Sequence, residues 1–584
     1  MLHLSKSKQY VPSFILRNFI PFLIALAAHF LLVNCRTSSN FMKPETIPDD
    51  RQKISKPKPR HINIIDDIFE KQSHQVENSF DLSRQLRNLF RKRKQAMNID
   101  AFDEVLDSSW FSSRNATKRM TLEEIARGPN NLDGPDDSGV WTIFRVKEEG
   151  VTVGFDIEDR RGDKYVIKFD SSGYSEMQSG AEIVSTKLFY AAGYNVPENY
   201  IVFFSPKIFR LGENVGLTDR LGRRRLMNQQ DLNEILGKIE YQPDGRIRAT
   251  ASKYLADNPD NILGPFKYIG TRKDDLNDFL PHEHRRELRG LRVMAAWLNH
   301  FDTKANNTLD VFTDGGFIRH YLIDFGSTLG SNGDEPMPPY IGFDTSFGPK
   351  QIILNTITLG LNVKPWEKPV EILYPSIGHF VSKNFHPQKY KFILSNPAFE
   401  NMTNRDGYWG AKLVMSFTDE QLKAAVAEGQ YSDPEAAEYL LQTLIERRNI
   451  VGRYWFSRMN PLDRFKLREN SDGTQELCFV DLAVETGLEE LDRSQYRYDL
   501  KNRAGYIYKG KNAGHSMCIP LSSKQLIPKI GKSTKDLASD ESIGEIRIQI
   551  KRSASKEWSR WVKVYLGFDH SSKRYTLLGI KRQE

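Results

Sequence analysis

The chain has 584 residues, of which 39% are hydrophobic and 27% charged, a composition that gives a globular protein of two or three domains with sizeable cores. The net charge of +8 suggests an anionic partner until it is located. Residues 1 to 62 hold ten Lys or Arg against Glu45, Asp49 and Asp50, which is +7 of that total, so the body is nearly neutral and nothing argues for nucleic acid.

At the N-terminus, Lys6, Lys8 and Arg17 precede an apolar run from Phe19 to Val33, and Asn34-Cys35 then opens a polar, Pro-bearing stretch. This is the pattern of a secretory signal over residues 1–35, and the run falls short of the about 18 to 20 apolar residues that a comfortable membrane span needs. Leu32-Val33-Asn34-Cys35 resembles a bacterial lipobox, which implies that Cys35 becomes the lipidated first residue of the mature chain; Asn34 departs from the usual small residue there. An uncleaved anchor and plain secretion are the alternatives. The expected location is the cell envelope, on the periplasmic face or the cell surface, with the membrane as partner through the lipid anchor. Residues 36–62 read as a flexible basic linker and 63–136 as a helical and loop extension, closed by turn signals at Gly128-Pro129 and Gly134-Pro135. Within it, Arg84 to Lys94 is a basic helix whose default role is a solvated face.

Strands follow. Trp141 to Val146 alternates as a strand, Glu149 to Phe155 supplies a turn with Gly150 and Gly154, and Lys164-Tyr-Val-Ile-Lys168-Phe-Asp170 is a second strand carrying a lysine. Ala181 to Tyr190 has apolar residues at helical spacing, which leaves Glu182 able to pair with Lys168, with Glu176 as second choice. The strand toward a hinge between lobes is expected at Gly264 to Ile269. Arg285 to Leu298 reads as a helix that delivers His300. His282-Glu283-His284 invites a metal reading, but no third ligand cluster is evident and surface or helix-start polar residues are expected there.

The densest chemistry is in His300-Phe301-Asp302-Thr303-Lys304-Ala305-Asn306-Asn307 and, beyond a strand, turn and strand, Leu322-Ile323-Asp324-Phe325-Gly326. Order and spacing match H-R-D-x-K-x-x-N followed by D-F-G. With Lys168 and Glu182 upstream, the chain resembles the protein-kinase-like superfamily, in a divergent exported bacterial branch of uncharacterised lipoproteins, over roughly residues 140 to 456. The resemblance implies an α+β, bilobal protein-kinase-like fold at 137–460. It also implies ATP and Mg²⁺ as cofactors, Asp302 and Lys304 as catalytic residues, and Gly150, Gly154, Lys168 and Glu182 at the nucleotide. Asn307 and Asp324 would hold the metal. Phe301 stands where the family has Arg, and no A-P-E follows Gly326, so control by a phosphorylated activation loop is not expected.

Later helices are announced by capping boxes at Thr418 to Gln421 and Ser432 to Glu435. After Pro461 the texture changes to short alternating runs, such as Leu477 to Leu482 and Gly544 to Ile550, which indicates a β-sandwich-like domain at 465–584. Cys478 and Cys518 lie within it, either as a disulfide or as two separately buried thiols. The functional expectation is an exported, membrane-anchored phosphotransferase acting on an unknown protein or small-molecule substrate. The alternative is an inactive kinase-fold envelope lipoprotein that binds or supports.

Overall fold

The computed structural model describes residues 47–62, 94–131, 133–147, 154–218, 223–343, 370–393, 396–502, 505–521, 543–569 and 572–584. The segment expected to be a signal, with Cys35, residues 148–153 of the expected turn, with Gly150, and all of the Arg84 to Lys94 run except its last residue lie outside these.

Among the described residues the first helix, α1 (Leu122–Arg127), starts where Thr121 accepts from the Glu124 amide while the Glu124 carboxylate accepts from the Thr121 amide. Beyond it comes a mixed sheet built from β1 (Trp141–Lys147), β2 (Gly154–Glu158), β3 (Lys164–Phe169), β4 (Asn199–Phe204), β5 (Phe209–Leu211) and β8 (Ile247–Lys253), in the order β4-β8-β3-β2-β1-β5. A small hairpin, β6 (Gly216–Thr218) and β7 (Arg224–Leu226), stands apart from it. Side chains alternate along each strand, so Trp141, Ile143, Phe155, Ile157, Tyr165, Ile167, Ala249 and Ala251 fill one core, together with Leu232 and Leu236. The opposite face carries Lys168 and meets α2 (Met177–Ala192). The helix α3 (Gln229–Leu236) is opened by Asn228 as a capping box.

The strand that leaves this sheet for the second lobe is β8, not Gly264 to Ile269 as expected. Ile262–Gly264 instead forms β9, which pairs with the strand Thr308–Phe312 in a separate three-stranded sheet. Apolar content misdirected that expectation: β8 reads Ile-Arg-Ala-Thr-Ala-Ser-Lys, and its alanines suffice because the strand is held between β3 and β4.

The second lobe is helical around one large core. It contains α4 (Arg286–Trp297), the hairpin β10 (Thr308–Phe312) and β11 (Ile318–Leu322), then α5 (Pro397–Glu400), α6 (Asn404–Met415), α7 (Asp419–Ala427) and α8 (Pro434–Arg458). Thr418 and Gln421 make the expected capping box of α7. For α8 the cap is Asp433, which accepts from the Glu435 amide with Pro434 at the first helical position, rather than Ser432.

Two antiparallel sheets close the chain: β12 (Leu462–Glu469), β13 (Gln475–Asp481) and β16 (Cys518–Leu521) in one, and β14 (Ser494–Asn502), β15 (Gly505–Gly514), β17 (Ile543–Arg552), β18 (Val562–Asp569) and β19 (Arg574–Arg582) in the other. Leu477, Phe479 and Ile519 of the first share a core with Tyr496, Ile546, Ile548 and Val564 of the second, the packing of a β-sandwich. A one-turn helix, α9 (Leu482–Glu485), follows β13. Cys478 and Cys518 lie opposite each other on β13 and β16 and are joined by a disulfide. Arg582 fixes the sandwich to the lobe: it donates to the carbonyls of Asn460 and Leu462, pairs with Asp463 and Asp103, and lies over the Tyr408 ring.

The described part of the expected linker, 47–62, lies against the body. The Ile54 amide donates to the Gly316 carbonyl, the Arg60 amide to Leu263, the Arg60 guanidinium to Asp310 at 2.9 Å, and Asn277 donates to the Gln52 carbonyl.

Candidate active site

β3 and α2 bring Lys168 to Glu182, with Nζ 3.1 Å from Oε2, and the same ammonium lies 2.8 Å from Oδ1 of Asp324. Lys168 and Glu182 are buried, while the Asp324 side chain is 43% exposed and open to a ligand. Burial disfavours the Lys168 ammonium, but Asp324 and Glu182 outweigh it and lift its pKa above the ordinary range. The crowded backbone around Asp324 partly desolvates its carboxyl and pushes it up, but Lys168 pulls down more strongly, helped by Lys147 and Lys304, which leaves it at about 2 although the side chain is partly exposed.

Glu176 is not the partner of Lys168. It stands at the N-cap of α2 with φ 71°, and its carboxylate accepts from the Ser432 amide. The other oxygen of Glu182 accepts from the Phe325 amide and from the side chain of Asn199, each at 3.1 Å. Asn199 thus anchors the ion pair from β4. Sequence reasoning missed it, since a lone Asn at the start of a strand carries no signal.

The helix α4 ends at Trp297 and the chain turns through Asn299 at φ 56° into the His300 loop. Lys304 and the Asn307 amide both donate to Oδ2 of Asp302, at 2.9 and 3.0 Å, and Asn307 also holds the Asp302 carbonyl. The Asn307 carbonyl accepts from the Ile323 amide, which ties this loop to the segment bearing Asp324. Asp324 has φ 64°, a conformation uncommon for a side-chain-bearing residue and held here by its surroundings. His300 is buried between rings, 5.8 Å from Phe325 and 5.9 Å from Phe189, and Phe189 stacks on Phe325 at 4.8 Å. Burial depresses the His300 pKa, so the ring is neutral and acts as packing.

Gly154 opens β2 opposite Lys168, where a Cβ would come within 2.2 Å of the Ile167 carbonyl oxygen. Its place follows from close strand approach. The histidines near α4 lie in a short turn just before that helix, the expected helix-start position, and are buried in polar contacts rather than on the surface: His282 bonds Asp278 at 2.7 Å and the Lys267 carbonyl, and His284 meets Arg289. His320 stacks on Trp110 and bonds Asp310.

A buried Lys–Glu pair between sheet and helix, an Asp-x-Lys-x-x-Asn loop and an Asp-Phe-Gly segment meeting at one cleft between two lobes define an α+β protein-kinase-like fold. No protein-family model matches the chain, and no curated protein is similar to it. Solved structures that resemble it include a proinflammatory kinase of Helicobacter pylori, CtkA, at 12% identity over 55% of this chain and 98% of that one, with a TM-score of 0.29. A Golgi casein kinase with Mn and ADP bound matches at 12% identity over 70% of this chain and 94% of that one, with a TM-score of 0.27. A second structure of the Golgi casein kinase covers 58% and 84%, at 12% identity and a TM-score of 0.25. These identities and TM-scores are low, and the kinase-like character rests on the sheet order, the ion pair and the two loops.

Proposed function

We propose that the cleft binds a magnesium nucleotide and transfers its terminal phosphoryl group to a hydroxyl, and that the protein does so from the cell envelope, anchored through Cys35. The carrying observation is the placement of Lys168, Glu182, Asp302, Lys304, Asn307 and Asp324 around one opening.

Lys168, fixed by Glu182, presents its ammonium to phosphate oxygens. Asp302 has one oxygen engaged by Lys304 and Asn307, which leaves Oδ1 to accept the proton of an incoming hydroxyl. The hydroxyl oxygen then bonds to the terminal phosphorus as the bond to the nucleoside diphosphate breaks, and Lys304 offsets the charge that develops. The donor set suits a hard cation: Asp324 is ionised at neutral pH, and the Asn307 amide spends its nitrogen on Asp302, which leaves its oxygen. Mg²⁺ held by Asp324 and Asn307 would neutralise phosphate charge.

The Cys478–Cys518 disulfide supports an oxidising compartment, and with it export. A Cys35→Ser chain that still takes up palmitate label would remove the anchor from this reading.

The full chain incubated with Mg²⁺ and γ-labelled ATP is expected to transfer label to itself or to an added envelope extract, with none from α-labelled ATP. Asp302→Asn should abolish the transfer. Label from the α position would assign nucleotidyl transfer instead, and no transfer with intact nucleotide binding would leave an inactive binding module.

A further inference from the structure

The sheet face that carries Lys168 holds a second row of side chains two residues along each strand. Register places Gly154, Lys168 and Thr250 in one row and Asp156, Val166 and Ser252 in the next, with Arg145 of β1 opposite Asp156. Alternation puts Asp156 and Val166 on the same face as Lys168, while Phe155, Ile157 and Ile167 enter the core behind.

Past Lys168 in the other direction the face is closed. Asp170 is buried and accepts from the Glu176 and Ser179 amides and the Ser179 hydroxyl, and Arg248 seals against the Gly429 and Gln430 carbonyls. A nucleotide with phosphates at Lys168 therefore extends toward the Asp156 row. That row stands about 7 Å further on, beside Tyr254, where the chain leaves β8 for the second lobe.

Asp156 is fully buried there. Its Oδ2 accepts from the Tyr254 hydroxyl at 2.7 Å and pairs with Arg145, yet its Oδ1 is buried with no hydrogen-bond partner. An unpaired buried carboxylate oxygen is costly unless something donates to it. Val166 and Phe144, whose ring lies 6.0 Å from that of Tyr254, give the same region apolar surface.

We propose that Asp156 is the base-recognition residue of this cleft, its Oδ1 accepting a hydrogen bond from the exocyclic amino group of a purine nucleotide. Adenine and guanine both carry such a group, and the analogues that lack it do not fill the acceptor. This rests on the nucleotide reading above and adds to it a specificity determinant on β2.

The test measures equilibrium binding of ATP, purine riboside triphosphate, GTP, ITP and tripolyphosphate to the full chain in Mg²⁺, for wild type and Asp156→Val. In wild type the amino-bearing member of at least one pair should bind about ten-fold or more tightly than its deamino partner, since a donor missing opposite a buried charged acceptor is heavily penalised. Asp156→Val should reduce that ratio to within about two-fold. Equal affinities of amino and deamino partners in wild type overturn the proposal, and they decide it even if Asp156→Val fails to fold. A wild type that binds tripolyphosphate and every analogue alike refutes base recognition but leaves phosphate binding standing, whereas binding of none refutes the nucleotide reading as well.

Discussion

Replacing Lys168 by Met removes the ammonium between Glu182 and Asp324 while keeping a chain of similar length. At 3.1 Å the attraction to Glu182 is about 5 kcal/mol at an effective dielectric near 20, most of it offset by the cost of taking both charges out of water. The variant keeps the desolvation of Glu182, which is 1% exposed, and discards the attraction. Donors from Asn199 and Phe325 still serve Oε1, so the expected loss is about 3 kcal/mol, the low end for breaking a buried pair. The Asp324 contact adds no more than about 1 kcal/mol, because that carboxylate is 43% exposed and screened. Glu182→Gln alone should cost less, since Lys168 keeps Asp324, and in the double variant the charge left without its partner is Asp324, which is partly exposed and screened. The two single losses should therefore exceed the double loss by about 2 kcal/mol. Because several domains unfold here, the assay is native-state hydrogen exchange at the amides of β3 and α2 rather than one global melt. Losses that add within about 0.5 kcal/mol would refute the coupled pair.

Three further outcomes follow from charge and covalent constraint. Lys187 is buried on α2, donates to the Arg127 carbonyl, and has its pKa pushed by burial down to about 8. The unfolded chain binds that proton more strongly, so stability rises with pH between about 8 and 10.5, and Lys187→Met should flatten the rise in chemical denaturation measured across that window. Asp278 is pushed up by burial but held down at about 2 by His282 and Arg285, so its contribution is complete above about 4 and lost as pH falls toward 2; Asp278→Asn should make acid unfolding less steep over that range. The Cys478–Cys518 bond closes a loop with sequence separation 40, and reduction or Cys518→Ser should lower the stability of the sandwich by about 2 to 4 kcal/mol, read as a shifted denaturant midpoint for β13 and β16.

What the sequence made legible was the part of the site written in consecutive residues. Asp302, Lys304 and Asn307 share one loop, and Asp324 follows a strand pair whose turn is plain from Asp314-Gly315-Gly316, so spacing alone brought them together. Lys168 and Glu182 were readable because their strand and helix each have a clear period. Asn199, Phe189 and Asp156 were not, because each acts through a neighbour that only the folded sheet supplies: Asn199 reaches Glu182 from another strand, and Asp156 meets Tyr254 across 98 residues of chain. The misplaced hinge strand has the same origin, since two alanines give no apolar signal until flanking strands bury them.

The long helix α4 links the candidate site to the far end of the molecule. Its C-terminus delivers the His300 loop, while Arg286 near its start is fully buried between Asp103 and Asp406. Asp103 in turn meets Arg405 and, at 3.6 Å, Arg582 of the last strand. Asp103 therefore faces three guanidinium groups, one from each of α4, α6 and the sandwich. Such a cluster tolerates little displacement, because separating any member leaves a buried charge without its counterion. The sandwich is held as a fixed part of the lobe that bears Asp302, and the N-terminal segment is fixed to the same lobe from the other side, where Arg60 and Arg272 meet Asp310 one strand after the loop. Both ends of the described chain thus brace the hairpin and helix that position the carboxylates.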